Sequence, residues 1–245
     1  MKKKVLVFLT HNMSLEKWSK SKILEREIYP FAKRNEYDFI FISYGINNED
    51  KYLKKYSNLT VHNLKNFFPR NLFISRILEP IFLLIFDSKL RKLLKECELT
   101  ISNQMDGALI PAILKIFYGK EFILRTGFSL SFFNSKIRKN NFISKIFIYL
   151  YEFICIYLST KYTISSEYEL SILEKKFPIF IKKTFVIPNW IDTEKFKPSP
   201  KNINNLSLIS VGRLELQKNP FDLILISKLS SIPLTIIGEG FLKSY

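Results

Sequence analysis

Leu206-Ser207-Leu208-Ile209-Ser210-Val211-Gly212-Arg213-Leu214-Glu215-Leu216-Gln217-Lys218-Asn219-Pro220 reads as a strand, a turn and the opening of a helix. Leu206 to Val211 is a short apolar run bounded by a glycine, the signature of a strand that ends in a loop. Asn219 to Leu229 then reads as a helix, which Pro220 can start because an N–H in the first turn has no partner anyway. Leu234 to Ile237 is a second β-rich run, so the segment is a strand–helix–strand unit with a parallel pair. Phe221, Leu225 and Leu229 fall on one stripe of the helix and need a surface to cover them.

The same alternation runs through the rest of the chain. Strands are expected at Val5–Leu9, Phe39–Ser43, Leu59–His62, Leu99–Ser102, Phe122–Arg125, Tyr162–Ile164 and Phe185–Ile187. Ser14 is placed to cap one helix running to about Arg34, with Trp18, Leu24, Ile28 and Phe31 toward the sheet. Asp106 and Gly107 open another, which closes at Gly119, a residue suited to a left-handed C-terminus. A cluster of Pro, Ser and Asn over residues 197–205 reads as a linker. The expected organisation is α/β: a Rossmann-like domain over 1–196 with a parallel sheet, and the start of a second such domain over 206–245. In such sheets the loops at the carboxyl ends of the strands form one rim, and ligands bind there.

Composition narrows the function classes. At 47% hydrophobic and 15% aromatic residues, the 245-residue chain is unlike a disordered or fibrous sequence. Its formal charge of +16 is uneven: of 38 Lys/Arg and 22 Asp/Glu, residues 190–245 hold 7 and 5, leaving 31 and 17 in residues 1–189. Such a field attracts phosphates on lipid, nucleic acid or substrate, and a Lys- and Ile-rich coding bias produces the same excess. Association of the basic first domain with an anionic membrane surface, through surface charge rather than insertion, is therefore an expectation. Cys97 and Cys155 are isolated, which argues against a disulfide framework or zinc site and points to the cytoplasm. The apolar run after the basic start, Val5–Leu9, is too short for a signal peptide, and Phe142–Ser159 contains Lys145 and Glu152 and falls short of a membrane span. The latter reads as a buried or surface-docked helix.

In the opening stretch, Gly212 lets a ligand approach the backbone, Arg213 and Lys218 supply two cations, and the helix start adds N–H groups and a positive dipole end. A diphosphate suits such a turn; an ordinary solvated loop is the alternative. Two further stretches stand in order around it. Upstream is Val186-Ile187-Pro188-Asn189-Trp190-Ile191-Asp192-Thr193-Glu194-Lys195-Phe196-Lys197-Pro198; downstream is Leu234-Thr235-Ile236-Ile237-Gly238-Glu239-Gly240. The trio resembles family 4 glycosyltransferases of the GT-B fold, with their I-P-N-G-[VI]-D-x-x-x-F-x-P, V-G-R-L-x-x-x-K-[GN] and [IV]-G-[DE]-G patterns. Ile101-Ser102-Asn103, Arg125-Thr126-Gly127-Phe128 and Ile164-Ser165-Ser166 extend the likeness less specifically.

The resemblance implies transfer of a sugar, with retention, from a nucleoside diphosphate donor to a polysaccharide or lipid-linked acceptor. Arg213 and Lys218 would neutralise the donor diphosphate as leaving group, with Gly212, Gly238, Glu239 and Gly240 in the donor loops and no cofactor or metal. No D-x-D occurs in the sequence. His11, Arg125, Gly127, Ser165 and Asn189 are candidates for the acceptor side or cleft. His11 also reads as a helix cap or an exposed side chain, Arg125 as a structural ion-pair partner, and Asn189 with Asp192 as turn formers. Trp190 stands where the family has Gly. The family's acidic E-x7-E stretch lies beyond Tyr245, so the chain is expected to stop inside the second domain and to be a poor enzyme alone. The rival readings are a non-catalytic acceptor-binding half that needs a second chain, and a nucleic-acid binder. The latter lacks any reading motif, so no nucleic-acid partner is expected.

Overall fold

A computed structural model describes residues 2–68, 73–131, 142–198 and 206–244. The chain divides into two compact units, Met1–Asp192 and Thr193–Tyr245. The seven strands of the first unit are β1 (Lys3–Phe8), β2 (Tyr37–Ser43), β3 (Leu59–Asn63), β4 (Leu99–Ser102), β5 (Glu121–Arg125), β6 (Lys161–Ile164) and β7 (Thr184–Val186). They form one sheet in the order β3-β2-β1-β4-β5-β6-β7, and every pair is parallel. The chain steps outward from β1 to β3 and then returns to β4 on β1's other edge. The order therefore reverses between β1 and β4, where doubly wound folds place their ligand crevice.

Among the described residues, the α-helices of this unit are α1 (Leu15–Lys20), α2 (Leu24–Ala32), α3 (Phe73–Phe86), α4 (Ser88–Glu96), α5 (Leu109–Tyr118), α6 (Phe142–Leu158) and α7 (Glu167–Lys176). Alternation along β1 explains the layers. Leu6 and Phe8 join Leu83, Leu90, Leu94 and Ile110 from α3, α4 and α5, whereas Val5 and Val7 join Trp18 and Ile28 from α1 and α2. Both faces of the strand are buried, so it reads as a continuous apolar run rather than an alternating one. A third cluster gathers Phe122, Leu124, Tyr162 and Ile164 under Cys155, Ile156 and Leu173.

Leu24, Ile28 and Phe31 pack toward the sheet with Trp18 as expected, but not on one helix. The helix breaks after Lys20, where Ser21 returns its N–H to Lys17 O at 3.0 Å and Lys22 takes a φ of 56°. Neither Gly nor Pro marks the break. The other helix start is also later than expected: Met105–Gly107 form a single tight turn, and α5 begins at Leu109. It ends at Gly119 with φ 63°, as the sequence indicates.

The second unit pairs β8 (Leu208–Val211) with β9 (Leu234–Ile237) in parallel, joined by α8 (Pro220–Ser230). The expected linker lies largely outside the described residues, which omit 199–205.

Candidate functional site

In the first unit the rim at the carboxyl ends of the strands collects most of the sequence candidates. His11 follows β1, and its backbone N–H donates to Asp106 O at 2.5 Å in the loop after β4. Its imidazole is neither a cap nor exposed. It is buried, with Nε2 3.3 Å from Oε2 of Glu79 on α3 and its ring edge-on to Tyr44. Neither Glu79 oxygen nor His11 Nε2 has a hydrogen-bond partner among the described residues. Burying a carboxylate and an imidazole unsatisfied is costly, so a built arrangement of this kind is suited to receiving a polar group. His11, Tyr44, Glu79, Asp106, Gly107 and Tyr151 line a small cavity at this point. Sequence reasoning missed Glu79; the one local signal is a carboxylate, before Pro80, in an otherwise apolar helical run.

Beside it, Arg125 at the end of β5 donates to Asn103 Oδ1 at 2.9 Å and reaches Glu27 Oε2 of α2 at 3.5 Å. Arg125 remains a third exposed and is an ion-pair partner as well as a rim cation. Gly127 is held by its N–H to Gln104 Oε1 at 3.0 Å, and its carbonyl accepts from Ser165 Oγ at 3.2 Å. Ser165 Oγ shares its one proton between that carbonyl and Glu169 Oε2 at 3.0 Å, and Ser165 N–H donates to the same carboxylate oxygen at 3.1 Å, while the neighbouring Ser166 caps α7 by accepting from Glu169 N–H. The loops after β4, β5 and β6 are thereby tied into one polar ledge. Asn189 lies apart on the connection after β7 and is exposed. Trp190 packs its ring on Tyr29 of α2 at 4.7 Å and anchors that connection.

In the second unit, Arg213 and Lys218 both stand in the turn between β8 and α8 and both are exposed. Lys218 lies across Gly212: a Cβ there would meet the Lys218 side chain at 3.9 Å. Arg213 Nη1 donates to Glu215 at 2.8 Å. Lys218 closes a short turn, Asn219 takes a φ of 45°, and Pro220 then starts α8. Gly238 and Gly240 sit against this turn. A Cβ on Gly238 would lie 1.8 Å from Gly212 O, and one on Gly240 2.3 Å from Leu214 O. Their lack of side chains is used by the protein's own backbone, with Gly212 N–H donating to Ile237 O and Leu214 N–H to Glu239 O at 3.0 Å each. Glu239 is exposed and pairs with Lys243 at 2.7 Å.

No family model matches the chain. No curated protein matches it either. Its fold is similar to solved structures of GT-B proteins. The crystal structure of Anabaena Alr3699/HepE in complex with UDP and glucose aligns with a TM-score of 0.60 at 15% identity, covering 98% of this chain and 62% of that one. The crystal structure of Arabidopsis thaliana UGT89C1 complexed with UDP-L-rhamnose aligns at 0.52 and 12% identity, covering 98% and 69%. A glycosyltransferase from Rickettsia africae aligns at 0.52 and 14%, covering 97% and 68%. The chain thus spans about three-fifths of the HepE chain. At these identities the likeness is one of fold: α/β, with a Rossmann-like parallel sheet of the GT-B type.

Proposed function

We propose that the chain belongs to a glycosyltransferase that takes a sugar, with retention, from a nucleoside diphosphate donor and passes it to a polysaccharide or lipid-linked acceptor. The observation that carries this reading is the turn after β8, where Lys218 is laid along Gly212 beside Arg213, with the turn closed from behind by Gly238 and Gly240. Two exposed cations on a strand-to-helix turn are a phosphate site in chemical terms. The leaving diphosphate gains charge as the glycosidic bond to it breaks, and fixed cations stabilise that charge without a metal. The I-P-N-W-I-D, V-G-R-L and I-G-E-G stretches support the same assignment, and the fold is shared with proteins crystallised with UDP and UDP-sugars.

On the acceptor side the reading assigns the ledge of the first unit. His11 with Glu79, Arg125 with Asn103, and Ser165 with Gly127 offer donors and acceptors suited to sugar hydroxyls. The 31 Lys/Arg against 17 Asp/Glu in residues 1–189 suit an acceptor bearing phosphate or lying at an anionic membrane face.

Calorimetric titration of UDP-sugars into the full chain tests the donor assignment. Arg213→Ala and Lys218→Ala are each expected to weaken binding about tenfold or more, as loss of a hydrogen bond to a charged group does. Gln217→Ala, one residue away from Lys218 and without a charge, is expected to leave it unchanged. Equal affinity in all variants refutes the assignment.

A further inference from the structure

Glu79 puts a carboxylate on a helix face where the fold calls for an apolar side chain. Leu83, one turn further along α3 and on the same face, is fully excluded from water in the core. The Glu79 side chain is itself only 1% exposed, and the His11 imidazole 5%. Nε2 of His11 and Oε2 of Glu79 stand 3.3 Å apart, an ion-pair distance, without the direction of a hydrogen bond. His11 Nε2 and both Glu79 oxygens are therefore three buried polar atoms, close together, that no hydrogen bond satisfies. Each costs desolvation energy until a partner arrives, and a carboxylate costs more than a neutral group. Both residues line the cavity at the carboxyl ends of β1, β2 and β4, which has room for a single water-sized group.

The lining selects the guest by charge. The acidic residues Glu79 and Asp106 border the cavity and, among the described residues, no Lys or Arg does, in a chain whose formal charge is +16. A phosphate is repelled there and a cation attracted. Counting donors narrows the choice further. Water can donate two hydrogen bonds in this place, so a ligand group that displaces it has to match them. A hydroxyl donates one and leaves a Glu79 oxygen bare. A primary ammonium donates three: one to each Glu79 oxygen, and one to His11 Nε2 when the ring proton sits on Nδ1. Its charge also offsets that of the buried carboxylate. An acetamido group brings one N–H and no charge, and its acetyl carbons outgrow the space.

We propose that the His11–Glu79 cavity binds a primary ammonium group, carried by an unacetylated amino sugar of the acceptor. The proposal rests on the reading of the first unit's rim as the acceptor side, and it names a chemical feature that the acceptor must bear. The test is a ligand-observed NMR titration of the full chain with glucosamine, N-acetylglucosamine, glucose and ethanolamine, in wild type and in Glu79→Gln. Wild type is expected to bind glucosamine at least about tenfold more tightly than glucose or N-acetylglucosamine, as a hydrogen bond to a charged group gives. Glu79→Gln keeps the side-chain shape without the charge, and is expected to lose that preference while melting as a folded protein. Ethanolamine, an ammonium without a sugar ring, is expected to bind at least about tenfold more weakly than glucosamine. The proposal is overturned if glucosamine ranks with glucose or N-acetylglucosamine in wild type, if none of the probes binds, or if folded Glu79→Gln keeps the preference. Ethanolamine binding as tightly as glucosamine assigns the cavity to an amine headgroup and overturns the sugar assignment. Should Glu79→Gln fail to fold, the ranking in wild type decides. A UDP-sugar titration run alongside separates the two readings: lost amine ranking with UDP-sugar binding intact overturns this proposal alone, whereas absent UDP-sugar binding counts against the donor assignment alone.

Discussion

Asp87 is where one side chain closes two elements at once. Its Oδ1 accepts the Leu90 N–H at 2.9 Å and caps α4, while Oδ2 lies 3.0 Å from Nε2 of the buried His62 on β3. Burial by itself would raise this carboxyl, but the His62 hydrogen bond and the Leu90 N–H outweigh it and hold it below its ordinary value. A group depressed in the folded state stabilises the protein above its unfolded pKa, about 3.9, and that stability is lost as pH falls through the folded value. The unfolding temperature is therefore expected to drop below about pH 4. Asp87→Asn keeps a capping oxygen and removes the proton linkage. Its unfolding temperature is expected to lie below wild type at pH 7 and to converge with it near the acid end of a melt series. Parallel curves across the range would show that Asp87 does not carry the dependence.

At the scale of elements, the break between α1 and α2 is the place where sequence and structure part. Nothing in Lys20-Ser21-Lys22-Ile23 signals a stop, because the cost of the left-handed backbone at Lys22 is met by the packing of Trp18 and Ile28 on the sheet. A lysine in that conformation gives up about 1 kcal/mol that glycine would not. Lys22→Gly is expected to raise stability by at most about 0.5 kcal/mol in denaturant unfolding, after glycine's own entropy loss of roughly 0.5 kcal/mol or more is subtracted. A destabilised variant would mean that the Lys22 side chain does more than tolerate its backbone. Strands were the legible part: Leu99–Ser102 and Leu234–Ile237 match the sequence reading residue for residue, since their apolar runs are bounded by polar or turn residues. Partnerships were not legible. Glu79 and His11 are 68 positions apart and meet only because α3 crosses the end of β1. The glycines of Gly238-Glu239-Gly240 announce that a backbone comes close, but residue type cannot say that it is the chain's own.

The two units differ in how much they bury, and that difference decides how the whole molecule opens. In the first, β1, β2 and β4 lie inside a seven-stranded sheet covered on both faces, with Leu6, Phe41 and Ile42 fully excluded from water. In the second, two strands and α8 share one thin layer. Ile209, Val211 and Ile237 are more than half exposed, as are Ile224, Leu225, Ile226 and Leu229 on the helix, and Pro220 is the helix's one buried residue. The amide hydrogen bonds of β8, β9 and α8 are therefore shielded by little apolar cover, and local opening there is cheap. In hydrogen exchange read by mass spectrometry, peptides from 206–244 are expected to exchange orders of magnitude faster than those of β1, β2 and β4. A UDP-sugar held by Arg213 and Lys218 is expected to slow exchange in the turn from Gly212 to Asn219 first, because binding stabilises the closed form by mass action. Protection of β8 and β9 equal to that of β1 in the free protein would mean that the second unit's apolar surface is covered in solution by a partner, most directly a second chain.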